Sequence, residues 1–263
     1  MIRGIYASGV GMKTNMNRMD VIANNLANAD TVGFKRELPV QRSFTEHFMH
    51  AIGGSHSDRF GPTHIGNVRL GNFVDEVHID FRSGSLRQTY NPLNMAIIGE
   101  GFFAISATGS NGETTQRFSR NGAFVLANDR TLRTPEGHAV LGTDGNPITV
   151  PDGELSINGN GEIHVRTPGS ETFTHVGTVQ IVNFENPQSL RPFGDNLFNT
   201  TPESTMVAFT GNVASGYLEM SNINVVREMV EMIAIQRNYE ANQRVLTIAD
   251  NTLGRAVNDI AQR

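Results

Sequence analysis

Two stretches of seven-residue periodicity, one at each end of the chain, constrain this sequence more than anything else in it. Near the start, Ile5, Met12, Met19 and Leu26 recur at every seventh position, and Ile2, Gly9, Met16 and Ala23 form a second column three residues ahead. Near the end, Val225, Met232, Tyr239, Leu246, Leu253 and Ile260 repeat at the same interval. Ile235, Ala249 and Ala256 flank them at the companion spacing, with Asn242 as the polar exception. A helix hairpin on a globular core shares this periodicity, but so narrow a stripe favours the a/d seam of a coiled coil in a bundle or an assembly. Asn224, after Ser221 and Asn222, is the expected N-cap of the second helix. From there to Ala261 the helix would be a rod of roughly 55 Å. Gly9 and Gly11 each cost about 1 kcal/mol relative to Ala in a helix interior, so the first helix needs a partner. The two ends are therefore expected to be satisfied by pairing among sister copies.

Between them the pattern changes to β. Val77, Ile79 and Phe81 alternate with His78, Asp80 and Arg82, the signature of a half-buried strand. Short apolar runs follow at residues 94–105, 124–126, 139–141, 155–157, 163–165 and 176–184. Asn121-Gly122, Asp144-Gly145, Asp152-Gly153, Asn158-Gly159 and Asn160-Gly161 punctuate them, and such dipeptides make tight turns. The expected fold is mainly β with helical termini: paired N- and C-terminal α-helices forming a coiled coil, plus a central antiparallel β domain. Residues 1–36 would hold the N-terminal helix of the coiled-coil domain and residues 37–85 a connecting segment with a short helix and strands. Residues 86–205 would be the antiparallel sandwich or barrel, and residues 206–263 a return segment and the C-terminal helix. The short helix is expected over residues 41–51, from Phe44 and Phe48 four apart, before a Gly/Ser/His stretch from Gly53 to Gly66.

Composition removes several functions. The 263 residues contain no Cys, which excludes disulfides, thiol nucleophiles and thiolate metal sites. A formal net charge of -5 lacks the basic footprint of a nucleic-acid binder. No apolar run is long enough to span a membrane, and no apolar h-region follows Arg3, so no cleaved signal is expected. Of the 21 basic residues only Lys13 and Lys35 are lysine; the planar arginine fork suits protein contacts. His47, His50, His56 and His64 have a spacing that could bring imidazoles together, yet without a carboxylate cluster beyond Glu46 and Asp58 they read as loop histidines. Gly99-Glu-Gly101 lacks the third Gly of a dinucleotide fingerprint, and Gly9-Val-Gly11 lacks the Gly-Lys-Ser/Thr of a P-loop. Asp75, Glu76 and Asp80 are ordinary for a solvated strand face, and Met12, Met16 and Met19 for a packing stripe. No catalytic, cofactor-binding or metal-ligating residue is assigned and no cofactor is expected.

Particular stretches look familiar. Ala23-Asn-Asn-Leu-Ala-Asn28 and Thr31-Val-Gly-Phe-Lys-Arg36 resemble the N-terminal signature of the bacterial flagellar rod and hook family. Residues 91–103 and 117–124 resemble its mid-chain motifs; residues 216–224, 228–233 and 236–241 resemble its C-terminal one. The family motif residues singled out are Asn24, Asn25, Leu26, Asn28, Gly33, Asn222 and Asn224. Within the family, Glu136 to Pro151 is more similar to the proximal rod member F than to the distal rod member G, while Gly53 to Gly66 falls where distal members carry an insertion. The resemblance implies a structural subunit, not an enzyme. Such subunits build a helical tube that carries motor torque across the periplasm around the export channel, leaving the cytoplasm by flagellar type III export. Its implied partners are copies of itself, other rod and hook-family subunits, basal-body ring proteins and the export apparatus, with no nucleic acid and no membrane insertion. The seam residues would pair in an inner coiled-coil layer, with Asn24, Asn25 and Asn28 either setting register between neighbouring helices or capping the turn near Gly33. A tail- or pilus-like structural β protein is the alternative.

Overall fold

Freedom from proline allows each terminus to be helical, and the C-terminal helix also has a capped start. The computed structural model describes residues 2–51, 63–68, 71–108, 114–169 and 172–261, and the chain divides into two compact units.

The first unit gathers residues 1–27, 37–78 and 224–263. Helix α1 spans Ile2–Ala27 and helix α2 spans Val225–Ala261. The Asn224 side chain starts α2 by accepting the Arg227 N–H at 3.0 Å, while its carbonyl accepts the Glu228 N–H. The side-chain bond satisfies a donor that a helix start otherwise leaves bare, and the carbonyl bond is the first of the helical ladder. The helices pack against each other antiparallel: Arg18 meets Glu231 at 3.2 Å, and Gly11 lies so near Asn242 that a Cβ there would stand 3.0 Å from its amide nitrogen. A helical rise of 1.5 Å per residue puts Ile2 level with about residue 250, so the last two to three turns of α2 run on past the start of α1. Ile22 and Ile235 are sealed inside.

The described residues correct two expectations here. The companion column of α1 is Ser8, Asn15 and Ile22, all buried, whereas Met16 and Ala23 are exposed. Both columns flank the seven-residue seam equally well on a helix, and the buried one was masked because Ser and Asn occupy it. Residues 41–51 form no helix: strands Glu37–Ser43 and His47–Ala51 pair with Asn72–Ile79 and Thr63–Val68. Phe44 sits between them with its ring 5.1 Å from that of Phe73 and its N–H on the Gly71 carbonyl. Backbone pairing with distant strands overrides the four-residue spacing of two aromatics. Most of the Gly53 to Gly66 stretch, with His56, lies outside the described residues.

The second unit holds residues 28–36 and 79–223. Its largest sheet is built on the antiparallel hairpin of Phe102–Thr108 and Thr114–Ser119. Strands Leu197–Asn199 and Arg191–Gly194 extend it on one side, and Ala139–Val140, Leu132–Arg133 and Val125–Leu126 on the other. Ile181–Phe184 also joins Phe102–Thr108 and carries Met206–Ala208 at its far edge. The alternation of Phe102–Thr108 feeds two cores: Phe103, Ile105 and Ala107 enter one apolar cluster, Phe102 and Ala104 the other. A strand buried on both faces reads as a continuous apolar run. A second antiparallel sheet of Glu154–Ile157, Glu162–Arg166 and Thr174–Thr178 closes the first cluster with Ile163 and Val165. The remaining pairs join early to late chain: Met95–Ile98 with Asn212–Ser215, and Leu86–Gln88 with Tyr217–Glu219. The expected strand through Val77 and Phe81 ends at Ile79, which is buried while Val77 is exposed.

Candidate functional site

The second unit brings three familiar-looking stretches to one point. Residues 31–36 follow the end of α1, residues 117–124 run from the end of strand Thr114–Ser119 into the loop after it, and residues 216–222 precede α2. Glu219 lies at their junction. Its Oε1 accepts bonds from Lys35 Nζ at 2.7 Å and from the Gly84 N–H at 2.9 Å, and its Oε2 accepts Arg120 Nε at 2.7 Å. All three charged side chains are almost wholly out of solvent. Lys35 also donates to the Arg82 carbonyl at 2.9 Å; the Arg120 guanidinium reaches the carbonyls of Gly99 and Gly101 and the Ser83 hydroxyl. Burial by itself raises the Glu219 carboxyl, but the charges of Arg120 and Lys35 and the bonds from Lys35 and Gly84 outweigh it and hold it below its usual range. Burial pulls the Lys35 ammonium below the usual lysine value despite Glu219 beside it. Every oxygen of the carboxylate is engaged, so the group clamps rather than reacts.

Main-chain contacts reinforce the clamp. The Gly33 N–H donates to the Glu219 carbonyl at 2.8 Å. Gly33 has φ +68°, and a Cβ on it would stand 2.5–2.6 Å from Arg120 and Asn121 backbone atoms, which leaves glycine alone fit for the place. Gly33→Ala is therefore expected to destabilise the chain by at least about 2 kcal/mol, read as a lower urea midpoint by circular dichroism; an unchanged midpoint would rule out the close approach. Asn222 ties the same region: Oδ1 accepts the Arg36 N–H at 2.8 Å, and Nδ2 donates to the carbonyls of Asp80 and Arg82.

The asparagines at the end of α1 bond locally. Asn25 is buried and exchanges two bonds with the Glu37 backbone, at 2.8 and 2.9 Å, while Asn24 reaches the Glu37 carboxylate. The Asn28 side chain meets the Thr31 hydroxyl at 3.1 Å. Within the chain these are bonds of the turn that follows α1.

In the first unit, the seam residues Ile5, Met12, Met19, Leu26, Met232, Tyr239, Leu246 and Leu253 are half-buried, Val225 is exposed, and the Ile260 side chain is outside the described residues. On α2 they alternate by threes and fours with Ile235, Asn242, Ala249 and Ala256. A second stripe lies opposite: Val226, Met229, Val230 and Ile233 are exposed, at 71%, 47%, 62% and 52%. Helical geometry puts these four on one side. The first turns of α2 thus carry apolar side chains on both faces, and among the described residues α1 covers one of them. No described helix is long and apolar enough to cross a membrane.

The chain matches known families in three places: residues 5–35 match the flagella basal body rod protein family, residues 96–165 the FlgE/F/G D1 domain of the flagellar hook protein, and residues 214–259 the C-terminal region of flagellar basal body rod FlgEFG proteins. It is also 34% identical to the flagellar basal-body rod protein FlgG of Agrobacterium fabrum over 261 residues, 95% of this chain and 96% of that one. The chain belongs to the flagellar basal-body rod and hook family. FlgG of Bacillus subtilis is 31% identical, with 98% of this chain and 99% of that one covered; the hook-basal body complex protein FlhO of the same organism is 28% identical across 100% of both. In this rod-family chain the clamp draws one charged residue from each matched region: Lys35 from the first, Arg120 from the second and Glu219 from the third. These three were not singled out from the sequence, because a charged residue does not announce its burial. The available signal was Lys35 itself, one of two lysines in an arginine-rich chain.

Proposed function

We propose that this chain is a structural subunit of the bacterial flagellar rod, joining copies of itself and neighbouring rod and hook-family subunits in a helical tube that carries torque across the periplasm around the export channel. The exposed stripe of Val226, Met229, Val230 and Ile233 carries this reading. An apolar patch of that kind on a helix already sealed on its other side marks an interaction surface. The paired helices form the inner coiled-coil layer of the tube, and heterologous contacts that never close extend it. The seam residues and the motif asparagines belong to that layer, and ring proteins meet the subunit outside it. The relatives named FlgG favour the distal rod, against the proximal placement suggested by Glu136 to Pro151. The subunit leaves the cytoplasm by flagellar export. Deleting the gene in its host is expected to abolish swimming, and basal bodies purified from the deletion strain are expected to end in a shortened rod on electron micrographs. Complete hook-bearing basal bodies in that strain would refute the assignment.

A further inference from the structure

The outer face of the three-stranded sheet in the second unit carries chemistry that a rod subunit does not call for. Strand Glu162–Arg166 alternates strictly: Ile163 and Val165 are buried in the core, so His164 between them faces outward. The neighbouring strand Thr174–Thr178 pairs with it antiparallel, and a register shift between Ile163 and His164 sets His164 directly across from His175. Their rings stand 5.4 Å apart at 67°. Glu162 Oε2 lies 3.5 Å from His164 Nε2, and the Asn158 side chain 3.3 Å from the same nitrogen. On the far side the His175 Nε2 faces the Thr178 hydroxyl at 3.1 Å. Two imidazoles and a carboxylate thus share one solvent-facing patch, held by backbone ladders on both strands.

We propose that His164, His175 and Glu162 bind a divalent transition metal ion of the Zn²⁺, Ni²⁺ or Cu²⁺ class. Imidazole nitrogen suits these ions, and two histidines with one carboxylate leave a fourth position to water. Among the described residues no three such side chains are already gathered around one point, so the site assembles by rotation. His164 gives up its contacts with Asn158 and Glu162, His175 its contact with Thr178, and both nitrogens turn toward a common centre. Opposed residues on paired strands have Cβ atoms about 5 Å apart, which lets two imidazoles reach one ion. The bound ion ties the bulged strand to its neighbour across the register shift. It reads a different surface from the helical face proposed for assembly, and neither depends on the other.

The test is titration of the full-length chain with Zn²⁺ by isothermal calorimetry, with thermal unfolding as a second readout. One equivalent is expected to bind and to raise the melting temperature. His164→Asn and His175→Asn are each expected to weaken binding at least about tenfold. His50 and His64, paired across the strands His47–Ala51 and Thr63–Val68, supply the control. Binding lost in His50→Asn or His64→Asn but kept in His164→Asn would overturn the proposal, as would no saturable binding in the wild type.

Discussion

Glu219→Gln is expected to destabilise this protein by about 3–5 kcal/mol, the cost of removing one partner from a buried ion cluster. The substitution keeps the shape and deletes the charge, so Lys35 and Arg120 remain buried with no anion between them. The Lys35 ammonium, the Gly84 N–H and the Arg120 Nε all lose a charged acceptor together. Chemical unfolding of the full-length chain reads the loss directly. A variant within about 0.5 kcal/mol of wild type, as for an ordinary surface substitution, would show that the cluster is not closed.

The pH dependence separates this electrostatic account from simple repacking. In the folded chain the Glu219 carboxyl lies below its ordinary value of 4.5. Its contribution is therefore complete above that value and is lost as pH falls through the folded one. The gap between wild type and Glu219→Gln is expected to narrow in acid. Lys35, already drawn below 10.5 by burial, is no longer held charged by Glu219 in the variant. A lowered lysine value makes stability rise with pH between the folded value and 10.5, so alkaline conditions are expected to restore part of the loss. A gap constant across pH would point to packing alone.

What could be read from the residues follows a physical divide. Periodicity is local, so the two terminal helices and some strands of the large sheet, such as Phe102–Thr108, Ala139–Val140 and Ile181–Phe184, were legible, whereas Leu132–Arg133 and Arg191–Gly194 were not: an apolar side chain every seventh or every second position has few ways to be satisfied. The Asn224 cap was legible because its chemistry acts within three residues. Long-range pairing was not. Nothing near Phe44 says that its N–H will find Gly71, and nothing near Glu219 says that Lys35 and Arg120, 184 and 99 residues away, will close around it. Ser8 and Asn15 show the same limit from the other side: polar residues in a buried column look like solvated surface until the opposing element is in place. The familiar stretches of sequence were recognisable as words, but their meeting at one carboxylate is a property of the fold.

Charge introduced on opposite faces of α2 should separate folding from assembly. Val230→Glu adds a carboxylate to the uncovered stripe, where the side chain is 62% exposed. In the free chain that carboxylate is hydrated, so stability is expected to stay within about 0.5 kcal/mol of wild type. In the assembled tube it would be desolvated against apolar neighbours without a partner, at a cost of at least several kcal/mol per contact. Repeated at every subunit, that cost exceeds what any one contact supplies, and swimming is expected to be abolished. Leu246→Glu acts on the other face, at a half-buried seam position. There the charge disturbs the packing of α2 within the chain itself, so unfolding of the helices is expected to come earlier as well, while the β unit keeps its own transition. Loss of motility with an unperturbed monomer in Val230→Glu, set beside a destabilised hairpin in Leu246→Glu, assigns the inner stripe to the fold and the outer stripe to the neighbour. Normal swimming in Val230→Glu would mean that the stripe of Val226, Met229, Val230 and Ile233 meets water in the rod as it does in the free subunit, and the proposed packing of α2 against adjacent copies would be wrong.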